Sequence, residues 1–304
     1  MAISQPLVQP SSPAPAVRAI RKSSGLRPAR LALYLSVLFF ALIFGFPLLW
    51  TLMSSLKTVK ETFAFPPVFI PAAPQFSNYV RVLSIERIPV LLWTWNAAYI
   101  TVLTTIGTVV TASLVGYSFA RFEYRGRNLL FLITLATLTL PAQVTLIPQF
   151  VLFYRLGWIN THLPLWVPAW FGGGAFGIFL MRQFFLTIPR DLDEAALIDG
   201  ASYPRVFWSV LLPLLKPPVV TLAIITALAT WSDYQNPIIY LNSPDKFTIS
   251  VGLHFFVQSP EVGGEPLQHL LMAACILTMI PAVVVFFAGQ RYFVQGVVLS
   301  GLKG

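Results

Sequence analysis

The chain has 304 residues, 56% of them hydrophobic and 10% charged, with a formal net charge of +9 and a mean hydropathy of +0.74. No soluble domain buries that much apolar surface, so a water-soluble enzyme or a nucleic-acid-binding module is excluded and the chain belongs in a bilayer. Its one cysteine, Cys275, excludes an internal disulfide and a cysteine-based metal site.

Residues 1–30 carry Pro6, Pro10, Pro13, Pro15 and Pro28 and read as a disordered cytoplasmic tail, ahead of a membrane domain over 31–304. The apolar stretch from Leu31 is too long for a signal-peptide core and lacks a small-residue cleavage site, so it is read as a retained span. A helix needs roughly 20 apolar residues to cross the hydrocarbon core. Charge-poor runs of that length predict an all-α, polytopic protein with spans over about 31–53, 91–119, 128–153, 163–186, 215–241 and 267–290.

Between the first two spans, FAFPPVFIPAAPQFSNYV spaces proline and aromatic residues in a way that disfavours helix and predicts extended chain at the outer interface. The third span contains LPAQVTLIPQF, where Pro141 and Pro148 predict a kink or broken turn whose freed carbonyls need protein or water. Kinked helices line solute pathways and also serve in packing; both readings stand for this one. Its glutamines, Gln143 and Gln149, are candidate pathway residues, because neutral donors and acceptors can meet a polar solute without the desolvation cost of charge. In the fourth span GGGAFG satisfies the spacing of a dinucleotide fingerprint. It lies in an apolar run rather than a βαβ unit, so the small residues are read as allowing close helix approach. The fifth span holds a single charge, Asp233, a candidate gate or pathway residue, with a structural pair to a partner helix as the alternative. The last external loop, 242–266, contains PEVGGEP and predicts no long helix.

His162, His254 and His269 have no ligand spacing, and no catalytic constellation is present, so neither a metal site nor an enzyme is predicted. No P-loop motif occurs, which leaves no ATP site on this chain. Of the twenty Lys and Arg, fourteen fall in the N-tail, the second-to-third loop, the fourth-to-fifth loop and the C-tail. That asymmetry predicts that both termini are cytoplasmic.

The segment 190–213 is unusual for an inter-span loop. It carries Asp191, Asp193, Glu194 and Asp199 against Arg190 and Arg205. Asp191 with Glu194 three residues on has capping-box spacing, Gly200 is placed to end a short helix, and Ser202 with Pro204 starts a second one. Val206, Phe207, Val210 and Leu211 give that second helix an apolar face before Pro213. An interfacial helix facing anionic headgroups would carry Lys and Arg instead. Small residues under an acidic rim suit a protein cleft.

EAALIDGASYPRVFWSVLLP resembles the EAA motif of permease subunits of binding-protein-dependent ABC importers: Glu194-Ala195-Ala196, then Gly200, Val210 and Leu212-Pro213. SLKTVKETFAFPP, NYVRVL, GYSFARFEYRGRNLLF, LPAQVTLIPQF, FGIFLMRQFFLTIPRDLDEAALIDGA and the closing QRYFVQGVVLSGLKG are similar to the carbohydrate-uptake branch, particularly its maltose-type second permease subunit. The resemblance runs from about residue 31 to the end. It departs at WSDY, where Ser232 stands in place of the usual Asn. It implies the type I importer membrane domain in a bacterial or archaeal inner membrane, paired with a second permease subunit. Two ATPase subunits carrying ATP and Mg would dock on Glu194, Ala195, Ala196, Asp199, Gly200 and Pro213, and an external binding protein would deliver the sugar. Glycerol-phosphate and other non-sugar solutes stay open. So does an ion-coupled secondary transporter, which the near absence of intramembrane charge disfavours.

Overall fold

A computed structural model describes residues 28–258, 261–262 and 265–301, and the expected tail over 1–30 lies outside them except for its last three residues. The chain divides into two compact units, 1–48 and 49–304. Among the described residues, four helical stretches are long and apolar enough to cross a membrane, and up to six if each of two sharply bent helix pairs counts as one span.

Helix α1 (Pro28–Ser55) begins at Pro28, inside the segment assigned to the tail, and contains Pro47. Its last carbonyls have no partner within the helix. Buried Asn78 supplies one, its Nδ2 donating to Ser55 O at 2.9 Å and Lys57 O at 3.0 Å. Asn78 lies on α3 (Ser77–Leu83), which follows the single turn α2 (Val59–Thr62). The 57–90 segment is thus extended only between these two helices. Glu61 closes a capping box with Thr58 and also accepts from Ala72 N at 2.9 Å, so one carboxylate ties the extended stretch back to α2.

The long helix α4 (Val90–Arg121) packs along α8 (Ala175–Thr187) and α12 (Lys216–Trp231). The α4–α8 contact is close because of glycine. A Cβ on Gly173 would lie 2.4 Å from Ala112 N, and Gly173 has φ +64° as the second of three left-handed glycines that turn the chain into α8. GGGAFG therefore serves helix approach.

The expected third span is not one continuous helix. It is α5 (Arg127–Ala136) with a 3-10 turn over 137–139, then α6 (Ala142–Arg155), bent by 101° at Leu140-Pro141. Pro141 cannot donate to the ladder and biases Leu140 to extended backbone, φ −79° and ψ 120°, which breaks the helix there. Pro148 lies inside α6. The fourth span joins α7 (Leu163–Trp166), a 3-10 turn over 167–170 and α8.

The 190–213 loop holds α9 (Asp191–Ile198), α10 (Tyr203–Arg205), a π-helical segment Val206–Leu211 and α11 (Leu212–Leu214). The fifth span then starts at α12, bent by 82° from the loop helices, and stops at Trp231 rather than 241. Its sixteen residues cover about 24 Å at about 1.5 Å each. After a break at 232–234 comes α13 (Gln235–Tyr240). The loop beyond contains a helix the sequence did not suggest, α14 (Ile249–Val257), and a two-residue antiparallel pairing of β1 (Glu261–Val262) with β2 (Glu265–Pro266). The chain ends in α15 (Gln268–Gly301).

Two apolar clusters hold opposite ends of α4. Around Tyr117 and Phe119, its C-terminal end packs with Met181, Phe185, Val206, Phe207 and Leu211. Around Trp93, its N-terminal end packs with Val82, Ile249, Phe256 and Leu270. The Trp93 indole N–H donates to Pro244 O at 2.7 Å, so the buried ring is also satisfied.

Candidate functional site

Two places gather the residues singled out in the sequence. The first is the loop at the C-terminal end of α4. Its π-helical segment inserts Val206, Phe207 and Leu211 among Tyr117, Phe185 and Met181, and the Phe207 ring lies 5.2 Å from that of Tyr117. Pro213 lacks the N–H that would bond to Ser209 O in α register, which favours the wider π turn before it. That insertion seats α9 on the end of the bundle.

The helix starts differently from the capping-box expectation. Arg190 is the N-cap with helical backbone, and Asp191 is already inside the helix, so no side-chain cap forms. Glu194 N donates to Arg190 O at 3.1 Å, and the Glu194 side chain is exposed rather than folded back onto the helix start. Asp191, Asp193 and Glu194 in the first turn still suit the positive end of the helix dipole. At the other end Gly200 has φ +82°, its N–H donates to Leu197 O at 3.0 Å, and Ala201 N donates to Ala196 O at 2.9 Å. This is the glycine-terminated helix end. Ser202 starts the next helix through its backbone carbonyl, which accepts from Val206 N at 2.9 Å, while its hydroxyl makes no cap bond.

Glu194, Ala195, Asp199, Gly200 and Pro213 are exposed, whereas Ala196 turns inward with Leu197 against the core. Sequence reasoning missed Ile198, which is 85% exposed. Its spacing from Glu194 and Ala195, at i+4 and i+3, was the available signal for one common face. The result is an acid-rimmed apolar knob on a bent, seated helix.

The second place is a hollow of about 480 Å³ lined in part by Gln149, Phe153, Trp158, Asp233, Asn236 and Tyr240. It unites Gln149 with Asp233; Gln143, near the start of α6, is not among its lining residues. Asp233 sits in the break between α12 and α13, where Oδ1 accepts from Asn236 N at 3.2 Å and Oδ2 from Asn236 Nδ2 at 2.8 Å. It is thus anchored within its own turn and exposed to the hollow. Gln149 Nε2 donates to Thr145 Oγ1 at 3.2 Å, leaving its carbonyl free for other donors. The rings of Phe153 and Trp158 stack at 5.5 Å, and Phe153 meets Tyr240 edge-on at 5.3 Å. Among the described residues the buried Tyr240 hydroxyl has no hydrogen-bond partner. Aromatic faces with a few polar groups make a wall suited to a polyhydroxylated solute. No group of three or more His, Cys, Asp or Glu able to hold a metal exists among the described residues.

Residues 109–299 match the family described as binding-protein-dependent transport system inner membrane component. The arabinooligosaccharides transport system permease protein AraQ of Halalkalibacterium halodurans is 31% identical, covering 88% of this chain and 94% of the relative. The trehalose/maltose transport system permease protein MalG of Thermococcus litoralis is 30% identical over 90% and 97%. The sn-glycerol-3-phosphate transport system permease protein UgpE of Yersinia enterocolitica is 32% identical over 85% and 92%. Among solved structures, a chain of a bacterial ABC transporter involved in import of the acidic polysaccharide alginate superposes with TM-score 0.78 at 25% identity, covering 88% of this chain and 99% of that one.

Proposed function

This chain belongs to the binding-protein-dependent transport system inner membrane components, and from that membership we infer that it forms half of the path by which an ATP-driven importer moves a sugar across the membrane. Its fold is that of the type I importer membrane domain. A second permease subunit supplies the other half of the path, and an extracytoplasmic binding protein delivers the solute. ATP and Mg are held by two cytoplasmic ATPase subunits, each docked on one permease loop. Both termini and the 190–213 loop face the cytoplasm, as the Lys and Arg asymmetry favours.

The observation that carries the docking role is the exposed knob of α9. Ile198 and Ala195 present apolar surface flanked by Glu194 and Asp199, on a helix that Phe207 and Leu211 seat in the bundle. Exposed apolar surface rimmed by polar residues is the pattern of a protein contact. For the solute, the hollow at Asp233 supports a sugar over a phosphate compound. Its charged residue is an acid, which repels phosphate and accepts from hydroxyls.

The test is uptake by the chain reconstituted in liposomes with its partner permease, ATPase and binding protein. The probes are labelled arabinotriose, maltose, trehalose, galactobiose and sn-glycerol-3-phosphate. ATP-dependent accumulation of one of the sugars is expected. Accumulation of sn-glycerol-3-phosphate alone, or uptake indifferent to ATP, would contradict the reading.

A further inference from the structure

The acids of the 190–213 loop divide by direction. Glu194 and Asp199 face out, but Asp193 turns toward the end of α4, where its Oδ2 lies 2.7 Å from Nε of Arg121. Arg121 is the last residue of α4. The two side chains are only 5% and 15% exposed. Arg121 also donates through Nη2 to Ile188 O at 3.0 Å, on the residue that ends α8. One guanidinium therefore touches three elements.

Its two contacts differ in kind. The bond to Ile188 is directional and fixes Arg121 to α8. The contact with Asp193 is not aligned as a hydrogen bond, and Asp193 Oδ1 has no partner among the described residues. Charge attraction holds that pair, and attraction shielded from water resists separation while tolerating rotation. Burial pushes the Asp193 carboxyl up and Arg121 pulls it back. The other ion pair here, Arg190 with Glu123 at 3.5 Å, has both side chains more than half exposed and contributes little. Because α4 packs along both α8 and α12, a pull at residue 121 acts on the bundle rather than on a free helix end.

We propose that Arg121 and Asp193 are positioning residues forming a joint through which movement of α9 is transmitted to α4. This rests on the reading that α9 docks an ATPase, and adds that docking and transmission are carried by different residues of the same loop.

The experiment uses the assembled complex in nanodiscs, with ATP and orthovanadate as the probe. Amide hydrogen exchange is followed over 191–200 and over 116–126. In the parent, nucleotide is expected to change exchange in both segments. In Asp193→Asn, ATPase recovery and the change over 191–200 are retained, while the change over 116–126 falls about tenfold, within the range of ordinary coupling between sites. Asp193→Glu and the exchanged pair Arg121→Asp with Asp193→Arg restore it; a role in packing alone would not return with the charges reversed. An undiminished response over 116–126 in Asp193→Asn overturns the joint. So does loss of ATPase recovery in that variant, or a parent in which only 191–200 responds. Failure of the docking reading has its own signature, full ATPase recovery with Gly200→Leu.

Discussion

Gln149 stands on α6 and Asp233 in the break between α12 and α13, eighty-four positions apart, and they meet only because both line one hollow. Asp233→Asn keeps a side chain able to bond the Asn236 backbone but removes the charge. Assembly is expected to stay intact while uptake falls, and normal uptake with normal ATPase activity would remove Asp233 from the pathway. Gln149→Ala is expected to weaken apparent affinity by one hydrogen bond, about 0.5–1.5 kcal/mol, read as a shift in the half-saturating sugar concentration. The sequence marked these two because an isolated acid or amide in an apolar run is conspicuous. It did not mark Trp158 or Tyr240, whose aromatic rings look like those of any apolar membrane protein until the fold turns them onto the same wall. Asp193 was counted among the acids of the loop, but nothing in its spacing revealed that it turns inward to Arg121.

At the scale of elements, breaks matter more than helices. Pro141, the three glycines at 172–174 and the Asp233 turn interrupt spans that composition alone reads as continuous. Apolar runs reveal where a chain enters the bilayer, but a bend is set by one or two residues and leaves mean hydropathy unchanged. For the same reason α14 was not legible: its nine residues fall in a loop whose prolines and glycines dominate the pattern. Close approach at Gly173 leads to a definite expectation. Gly173→Ala adds the cost of left-handed backbone, about 1–2 kcal/mol, to overpacking against Ala112 of about 1–3 kcal/mol. Lower membrane levels and a lower unfolding temperature should follow, and unchanged values would mean that α4 and α8 are less tightly packed. The outer segment offers a pH test. Backbone N–H groups of Thr58 and Ala72 hold the Glu61 carboxyl below the usual carboxylate range. A depressed acid pKa contributes order that is complete above the unfolded value and is lost as pH falls through the folded one. Protection of the Ala72 amide, its exchange relative to the intrinsic rate at each pH, should therefore fall on acidification below the usual carboxylate range, and Glu61→Gln should abolish that dependence. Protection of Ala72 that does not change with pH in the parent would contradict it.

At the scale of the whole molecule, the bundle carries two separate places matched to the proposed function: a polar and aromatic hollow at Asp233 and the exposed knob of α9. The knob was the most legible feature in the sequence, because acid, small residue, glycine and proline recur there at spacings that local helix chemistry constrains. What the sequence got wrong was the cap, since the helix starts one residue earlier, and Ala196, which packs inward while Ile198 points out. The central claim is that α9 and Gly200 fit an ATPase cleft. A Cβ on Gly200 meets nothing within 4 Å in this chain, so the strain of a substitution here is only that of the positive φ, about 1–2 kcal/mol. Any further effect of side-chain size must come from a partner. Co-purification of the ATPase with the parent, Gly200→Ala and Gly200→Leu, compared at equal membrane levels, is the most direct measurement. The account predicts partial loss with alanine and near-complete loss with leucine, accompanied by loss of uptake. Full ATPase recovery and full uptake with Gly200→Leu would contradict it.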